Sequence, residues 1–260
     1  MVKNGKLARV IAVANQKGGV GKTTTVVNVG SAIARDGLKT LIVDMDPQGH
    51  VYLTLRKSIS MNKATMYDFL MDPGRYEDVV VRYSENLDVL PSDETLREVE
   101  NALDLPPDTS PIVLKNRLAV IRPLYDFILI DCPPNLGFLT VNALVASTDI
   151  IVPTLASLTS YDGCLDLMDN VSDIVKQFNP ETDIRAIVGN MVSGNTIVAR
   201  AVLQLFNSKL HNLMLDEYIR KDTKIDEAQL VGKSVVDYKP YSGSSMDYGK
   251  LKDKLLEICR

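Results

Sequence analysis

One segment constrains this chain more than any other: residues 17–24 read Lys-Gly-Gly-Val-Gly-Lys-Thr-Thr and closely follow an apolar run at 10–14. Glycines at this density let the backbone curl until its N–H groups point inward, which is the geometry that holds phosphate oxygens. Apolar residues at helical spacing begin after Thr23, and Gly37 follows the last of them as a helix C-cap. The segment therefore predicts a phosphate-binding loop between a buried strand and a helix.

The loop departs from the common Gly-x-x-x-x-Gly-Lys-Thr pattern. Counting back from Lys22 puts Gln16 where the first glycine is usual. The chemistry of the pattern is nevertheless present, because Lys22 can reach the β- and γ-phosphates and the Thr23 hydroxyl can ligate magnesium. The predicted nucleotide contacts in this loop are Lys17, Gly18, Gly19, Val20, Gly21, Lys22, Thr23 and Thr24.

Two acidic positions follow apolar strands further along the chain. Asp44 and Asp46 come at the end of the run 40–43, and Asp131 ends the run 127–130. Carboxyl ends of parallel strands open onto the same edge of a sheet as the phosphate loop. We expect Asp131 to hold magnesium through water and Asp46 to orient a water on the γ-phosphate. The predicted metal-binding residues are Thr23, Asp46 and Asp131.

Apolar and amphipathic segments alternate along almost the whole chain, which predicts an α/β fold: a doubly wound, mostly parallel β-sheet flanked by helices. We expect a single domain over residues 1–260. The predicted strands are 10–14, 40–43, 87–90, 127–130, 149–152 and 184–188. The predicted helices are 23–35, 93–104, 111–121, 137–146, 160–178 and 196–211, with a last short helix at 251–260.

Composition excludes several classes of protein. The apolar runs are far shorter than the ~20 residues that span a bilayer, and the polar residues 1–9 contain no apolar signal core, so we expect a cytoplasmic protein. Three scattered cysteines exclude a disulfide framework and a zinc cluster. The net charge of −4 means that any binding of nucleic acid must use a local basic patch.

Three motifs together resemble the ParA/Soj family, the deviant-Walker ATPases that partition plasmids and chromosomes. They are the loop at 17–24, Asp-Met-Asp-Pro-Gln-Gly at 44–49, and Asp-Cys-Pro-Pro-Asn-Leu-Gly at 131–137. The resemblance implies ATP and Mg²⁺ as cofactors, slow hydrolysis, and an ATP-dependent homodimer that closes face to face. It also implies a ParB-like centromere-binding partner.

The same resemblance assigns roles to individual residues. Lys17 would cross the dimer interface to the phosphates bound by the partner, somewhat as an arginine finger does, and Gly18 would lie where the subunits meet. The residues implied to be catalytic are Lys17, Lys22 and Asp46. Arg220 and Asp222 replace the proline and asparagine that are usual in the family's base-binding stretch, and Asn190 is the other candidate contact to the base.

The surface on which such a protein would act is less clearly encoded. The resemblance implies nonspecific DNA binding through Lys221, Lys224 and Lys239, yet residues 209–260 hold ten Lys or Arg against nine Asp or Glu. A membrane is the alternative surface, but the helix at 251–260 is short, contains acids and lacks Phe and Trp, so we expect no stable insertion. A positioning ATPase for a non-DNA cargo stays open.

Overall fold

The computed structural model describes residues 7–106, 109–193, 197–210 and 213–259. Within these ranges the strands are β1 (Arg9–Val13), β2 (Thr40–Asp44), β3 (Val81–Ser84), β4 (Leu87–Leu90), β5 (Phe127–Asp131), β6 (Asp149–Leu155) and β7 (Asp183–Asn190). The helices are α1 (Lys22–Arg35), α2 (His50–Leu55), α3 (Met66–Met71), α4 (Tyr76–Val79), α5 (Val99–Leu103), α6 (Val113–Ile121), α7 (Phe138–Ala146), α8 (Leu158–Phe178), α9 (Ile197–Lys209), α10 (Thr223–Leu230), α11 (Val235–Tyr238) and α12 (Gly243–Ile258).

The strands form one sheet in the order β3-β4-β2-β5-β1-β6-β7. Every neighbouring pair is parallel except β3 with β4, which is antiparallel. The chain enters at β1 near the middle of the sheet and later adds strands on both sides of it. The predicted fold class, a doubly wound and mostly parallel α/β sheet, is confirmed.

Alternate residues of the central strands fill two separate hydrophobic cores, one on each face of the sheet. In β5, Ile128 and Ile130 belong to one core and Leu129 to the other. Helices α7 and α8 contribute to the first core, and α1 and α12 to the second. Strands buried on both faces need continuous apolar sequence, which is why these strands are recognisable as apolar runs.

All six predicted strands are present, and β6 and β7 extend beyond their predicted ends to Leu155 and Asn190. The strand that the sequence does not predict is β3, a short antiparallel strand at the edge of the sheet. Of its residues only Val81 is buried, so β3 lacks the apolar run that marks the inner strands.

The helix boundaries differ more from the prediction. Residues 93–104 form a 3-10 segment, Glu94–Glu98, before α5. Helix α8 begins at Leu158, earlier than predicted, because the Ser157 side chain caps it by accepting a hydrogen bond from the Ser160 N–H. Residues 196 and 211, the predicted ends of the helix that corresponds to α9, lie outside the described residues.

The last helix also begins earlier than predicted. The segment 239–245 reads as a loop, but Ser242 caps a helix that starts at Gly243, and Leu251 and Leu255 of this helix are buried in the core beside α1. The sequence does not predict the short helices α2, α3, α4, α10 and α11, since each has eight residues or fewer and too few turns to show a clear period.

The register of the central strands brings three strand ends to one level. Asp44 at the end of β2 pairs with Asp131 at the end of β5, and Val13 at the end of β1 pairs with Asp131 from the other side. The glycine-rich loop leaves β1 at this level and enters α1 at Lys22. The carboxylates and the loop therefore share one edge of the sheet.

The opposite edge is tied together by a buried carboxylate. Asp149 on β6 accepts hydrogen bonds from Arg9 on β1, at 2.7 and 3.0 Å, and from Arg185 on β7, at 2.8 Å. Asp149 is fully buried, whereas both arginines are partly exposed. One side chain thus links three neighbouring strands.

We expect Asp149→Ala to lower the free energy of unfolding by about 2–4 kcal/mol, because two arginines lose their shared charged partner. Asp183→Ala is the matched control: Asp183 is exposed and lies 3.5 Å from Arg185, so its loss should cost under ~1 kcal/mol. Urea unfolding followed by circular dichroism measures both. Equal losses in the two variants would contradict this role for Asp149.

Candidate nucleotide site

The glycine-rich loop adopts a backbone that only glycine tolerates well at two positions. Gly19 and Gly21 have φ of +72° and +87°, in the left-handed region that side chains disfavour. A Cβ on Gly21 would lie 2.1 Å from Asn190 Nδ2, so a side chain there is excluded by contact as well. Asn190 Nδ2 donates to the carbonyl of Val20 at 2.8 Å, which fixes the end of β7 against the loop.

Lys22 is buried at the start of α1. Its ammonium donates to the carbonyls of Asn15 at 3.0 Å and of Lys17 at 3.2 Å. Burial lowers the pKa of Lys22, and the nearby Asp131 carboxylate opposes that shift. A dehydrated ammonium held by two neutral carbonyls is well suited to receive a phosphate.

Asp131 is a buried carboxylate whose two oxygens have different surroundings. Its Oδ2 accepts a 2.6 Å hydrogen bond from the Thr23 hydroxyl, whereas its Oδ1 is buried with no partner among the described residues. Burial raises the pKa of Asp131 to about 7, although the bond from Thr23 opposes the shift. Asp44, its neighbour in the sheet, is also fully buried, and burial together with the Asp131 charge raises the pKa of Asp44.

The unpartnered oxygen of Asp131 fits a divalent cation. Mg²⁺ takes oxygen ligands and usually binds through one or two protein groups, with substrate phosphates and water completing its shell. In the described ranges no three His, Cys, Asp or Glu side chains are arranged to hold a metal alone, as expected for an ion that arrives with a nucleotide. Thr23 and Asp131 would hold Mg²⁺ here.

Asp46 lies in a turn that holds it above the strand ends. Its backbone N–H donates to Asp44 Oδ1 at 3.0 Å, and its own Oδ1 accepts from the Gln48 N–H at 3.0 Å. The Ser92 hydroxyl donates to the Asp46 carbonyl at 2.5 Å. Asp46 Oδ2 takes part in no hydrogen bond within the described residues, and the side chain lines the cavity described below.

Lys17 points away from its own loop. Its N–H donates to Asn15 Oδ1 at 2.9 Å, and its ammonium donates to Thr159 Oγ1 and Ser160 Oγ, each at 3.2 Å. Both hydroxyls belong to the first turn of α8, where Ser157 is the N-cap. The N-terminus of a helix carries positive partial charge, which makes this position unfavourable for a cation. The two hydroxyl oxygens offset part of that cost by accepting hydrogen bonds from the Lys17 ammonium.

A cavity of about 740 Å³ opens over the loop. Its phosphate-binding end is formed by the loop and by Asp46, and the other end lies between α2, α10 and the end of β7. Of the predicted site residues it is lined by Gly18, Gly19, Gly21, Lys22, Thr23, Thr24 and Asp46. The sequence does not predict the remaining lining residues, which are His50, Leu53, Thr54, Arg56, Lys57, Pro134, Met191, Asp226, Gln229 and Leu230.

The three predicted base contacts do not line this cavity. Asn190 uses Nδ2 on the loop and Oδ1 on the Met191 N–H. Arg220 makes a two-pronged ion pair with Asp247, at 2.7 and 2.8 Å. Asp222 caps α10 through the Lys224 N–H and accepts from the N–H and hydroxyl of Ser244.

The three predicted DNA contacts lie close to α10 and α11 but differ in their surroundings. Lys221 and Lys239 are exposed, and the Lys239 ammonium lies 5.6 Å from the centre of the Tyr238 ring. Lys224 is paired with Glu227 at 2.6 Å, and Glu227 also accepts from the Tyr238 hydroxyl at 3.2 Å. Glu227 thus offsets part of the positive charge of this surface.

Fold and site together define a P-loop nucleotide-binding protein. Residues 8–184 match the family model described as an AAA domain. The chain is 33% identical over 243 residues to the sporulation initiation inhibitor protein Soj of Bacillus subtilis, covering 93% of this chain and 96% of Soj. It is 34% identical over 251 residues to the chromosome partitioning protein ParA of Caulobacter vibrioides, covering 95% and 94%.

Solved structures show the same fold. The ADP- and magnesium-bound structure titled cobyrinic acid a,c-diamide synthase from Mycobacterium smegmatis matches with a TM-score of 0.82 and 29% identity, covering 96% of this chain and 95% of that one. The cell division ATPase MinD of Pyrococcus furiosus matches with a TM-score of 0.78 and 24% identity over 97% and 100% of the two chains. The chain belongs to the ParA/Soj family of P-loop ATPases, which confirms the resemblance inferred from its motifs.

We expect Asp131→Asn to stabilise the nucleotide-free protein more at pH 8 than at pH 5. The folded-state pKa of about 7 lies above the ordinary value near 4, so the wild-type protein binds an extra proton on folding between these values and loses stability as pH rises through them. Asparagine keeps an acceptor for Thr23 without the charge. The gain at pH 8 should exceed the gain at pH 5 by roughly 2–3 kcal/mol.

Urea unfolding at the two pH values measures this difference. Thr25→Val, on the buried side of the same helix, serves as a control for general changes in packing near the site. A variant that is less stable than wild type at both pH values would show that the Asp131 charge does not destabilise the protein without nucleotide.

Proposed function

We propose that this protein uses the energy of ATP to partition DNA, by closing as a dimer around ATP and opening after hydrolysis. The observation that best supports this proposal is the convergence of Lys22, Thr23 and Asp46 on one end of the cavity, with the buried Asp131 hydrogen-bonded to Thr23 beside it. Membership of the ParA/Soj family makes it a ParA-type P-loop ATPase that acts in partitioning.

The cofactors are ATP and Mg²⁺, as the sequence predicts. The similar Mycobacterium smegmatis structures contain magnesium with ADP or with an ATP analogue, and the donor set of the loop fits both groups. When bound, Mg²⁺ neutralises phosphate charge. Lys22 would hold the β- and γ-phosphates. Asp46 Oδ2 has no hydrogen-bond partner among the described residues, so it would accept a hydrogen bond from the water that attacks the γ-phosphate.

The dimer proposal is supported by the outer face of the loop. Gly18 has no neighbouring atom within 4 Å of the position where its Cβ would lie, so a second molecule could approach the backbone there. Lys17, adjacent in sequence, is held only by hydroxyls and is available to a stronger anionic acceptor. In the dimer Lys17 would reach the phosphates bound by the partner.

Gly18→Val should bind ATP with wild-type affinity yet remain monomeric. The space around Gly18 is open in the single chain, so an added side chain harms only an approaching partner. Lys17→Ala should also keep ATP binding and lose hydrolysis by about 10³-fold or more, as for a missing arginine finger. Sedimentation with ATP and phosphate release assays measure the two effects.

Lys22→Ala is the control, since it should lose ATP binding itself. An ATP-dependent dimer formed by Gly18→Val would exclude the proposed face-to-face arrangement. Normal hydrolysis by Lys17→Ala would exclude the proposed role of this lysine and leave nucleotide binding unaffected.

DNA is the proposed surface on which the dimer acts. Lys221 and Lys239 are exposed and can meet phosphates, and dimerisation would double their number. Lys224 must share its charge with Glu227, so the patch is weakly basic in one subunit. We propose a cytoplasmic, DNA-associated protein that works with a ParB-like partner.

The rival surface is a membrane. The apolar residues of α12 that would have to enter lipid are already packed in the core, with Leu251 and Leu255 buried. Among the described helices none combines the length and apolar character that spanning a bilayer requires. A non-DNA cargo remains the second candidate, and the next experiment separates it from DNA.

Asp46→Ala should accumulate the ATP-bound dimer, because losing a group that orients water slows hydrolysis by about 10²-fold or more without removing a phosphate contact. In ATP this variant should bind duplex DNA persistently, and binding should weaken steeply with salt as counterions are released. Fluorescence anisotropy of labelled DNA at two salt concentrations, in ATP and in ADP, measures this.

Reversing the charge of Lys221 and Lys224 together in the Asp46→Ala background should abolish DNA binding and leave the dimer intact. Lys209→Glu, on α9, is a control for general loss of positive charge. If the trapped dimer does not bind DNA at low salt, the ATPase assignment is unaffected and the hypothesis of a non-DNA cargo is favoured.

A further inference from the structure

The end of the cavity remote from the phosphate-binding residues has two polar side chains that the function described so far does not use. Asp226 and Gln229 are one turn apart on α10, so they share a face of the helix. Both line the cavity and, within the described residues, neither side chain makes a hydrogen bond. The three residues that the sequence favours for the base have their polar groups engaged elsewhere in the protein.

Apolar side chains flank these two residues. Met191 is 42% exposed and Leu230 is 70% exposed, and both line the cavity together with Leu53. Exposed apolar side chains converging on a cavity beside a few polar groups are typical of a site for a flat organic ligand. A thioether and a branched aliphatic side chain can both pack against an aromatic ring.

The backbone holds Met191 in place at a conformational cost. Its φ of +51° lies in the left-handed region, which costs a side-chain-bearing residue of order 1 kcal/mol or more. The Asn190 side chain accepts the Met191 N–H, and Val192 N–H donates to the carbonyl of Ile219. The methyl end of Met191 consequently lies 3.6 Å from where a Cβ of Gly21 would be, over the phosphate-binding loop.

The opposite wall is also fixed. The Lys57 ammonium, just after α2, donates to the Leu230 carbonyl at the end of α10 at 2.5 Å. Gly232 approaches Lys57 so closely that a Cβ on the glycine would lie 2.5 Å from the Lys57 Cβ. The end of α10 is therefore anchored against α2, and Gln229 is presented from a rigid wall.

We propose that Gln229 selects adenine, with the base lying between Met191 and Leu230. This inference rests on the proposed ATPase function and assigns its base specificity. A carboxamide carries both a donor and an acceptor, so it can accept from the adenine amino group and donate to the adjacent ring nitrogen. This two-point pairing is the one that glutamine makes with adenine in DNA recognition.

Asp222, the sequence-based candidate, offers no such pairing. Its two oxygens accept from Lys224 and Ser244, and an ionised carboxylate has no donor for a ring nitrogen. Asp226 has an acceptor only, so it can add a contact to the amino group or the ribose but cannot by itself distinguish the ring. Among the described residues that line the cavity, Gln229 is the one carboxamide, with a donor and an acceptor spaced for this pairing.

The test is a cycle of two proteins and two ligands. Titration calorimetry with Mg²⁺ measures the binding of ADP and of purine riboside diphosphate, which lacks the amino group, to wild type and to Gln229→Leu. Wild type should bind ADP about tenfold more tightly, the value of one or two hydrogen bonds. Gln229→Leu should reduce that preference to within about twofold, and its affinity for purine riboside diphosphate should fall less than its affinity for ADP, because only the bond to the ring nitrogen is lost with that ligand.

Two controls separate this proposal from its rivals. Glu227 lies on α10 and pairs with Lys224 rather than lining the cavity, so the Glu227→Gln variant should keep the tenfold preference for ADP. The Asp222→Asn variant should keep it as well. A wild-type preference retained by Gln229→Leu, a preference lost in Asp222→Asn, or no preference in wild type would each overturn the assignment.

Inorganic pyrophosphate distinguishes failure of this inference from failure of the proposed function. Pyrophosphate should bind wild type and Gln229→Leu equally and should not bind Lys22→Ala. If Lys22→Ala binds pyrophosphate and ADP as well as wild type does, the phosphate-loop assignment itself fails. If only the base preference is unaltered by Gln229→Leu, the ATPase stands and the base is read elsewhere.

Discussion

Parallel pairing of β1 with β5 and of β2 with β5 is the constraint on which the rest of the site depends. It sets Val13, Asp44 and Asp131 level with one another. A glycine-rich loop after one strand and carboxylates at the ends of the other two are then neighbours without further adjustment. Because the strands are buried on both faces, a slip by one residue would exchange the residues of the two hydrophobic cores. The packing of both cores therefore enforces this alignment.

The charged groups of this site are only partly compensated by other groups of the protein. Lys22 is held by carbonyls instead of an anion, and Asp131 keeps one buried oxygen without a partner among the described residues. Burial lowers the pKa of Lys22 and raises the pKa of Asp131, which favours the neutral form of each group. A magnesium nucleotide supplies the missing charges of both signs, so binding relieves a cost that folding imposed.

The sequence predicts the central part of this protein much better than its periphery. Strands such as β1 and β5 are continuous apolar runs, and the loop and its carboxylates are defined by short local motifs. In contrast, β3 and the helices α2 and α10 have no strong pattern, since only one or two residues of each are buried.

The base-binding wall shows the same limit at single residues. Asp222 and Arg220 attract attention because they occupy motif positions, but their side chains cap α10 and pair with Asp247. Gln229 and Met191 line the cavity only because separate segments meet there. No local sequence pattern shows that these segments are in contact, and the contact is visible only in the packing of α10 against α2.

The position of Lys17 has a consequence for how much ATP the protein consumes in the cell. A subunit on its own keeps this ammonium on Thr159 and Ser160, away from the phosphates in its own cavity. In the proposed dimer the missing cation arrives only with a second subunit. An isolated molecule would then keep its bound ATP without hydrolysing it. The rate of ATP hydrolysis would depend on how often two molecules meet, and not simply on how many molecules are present.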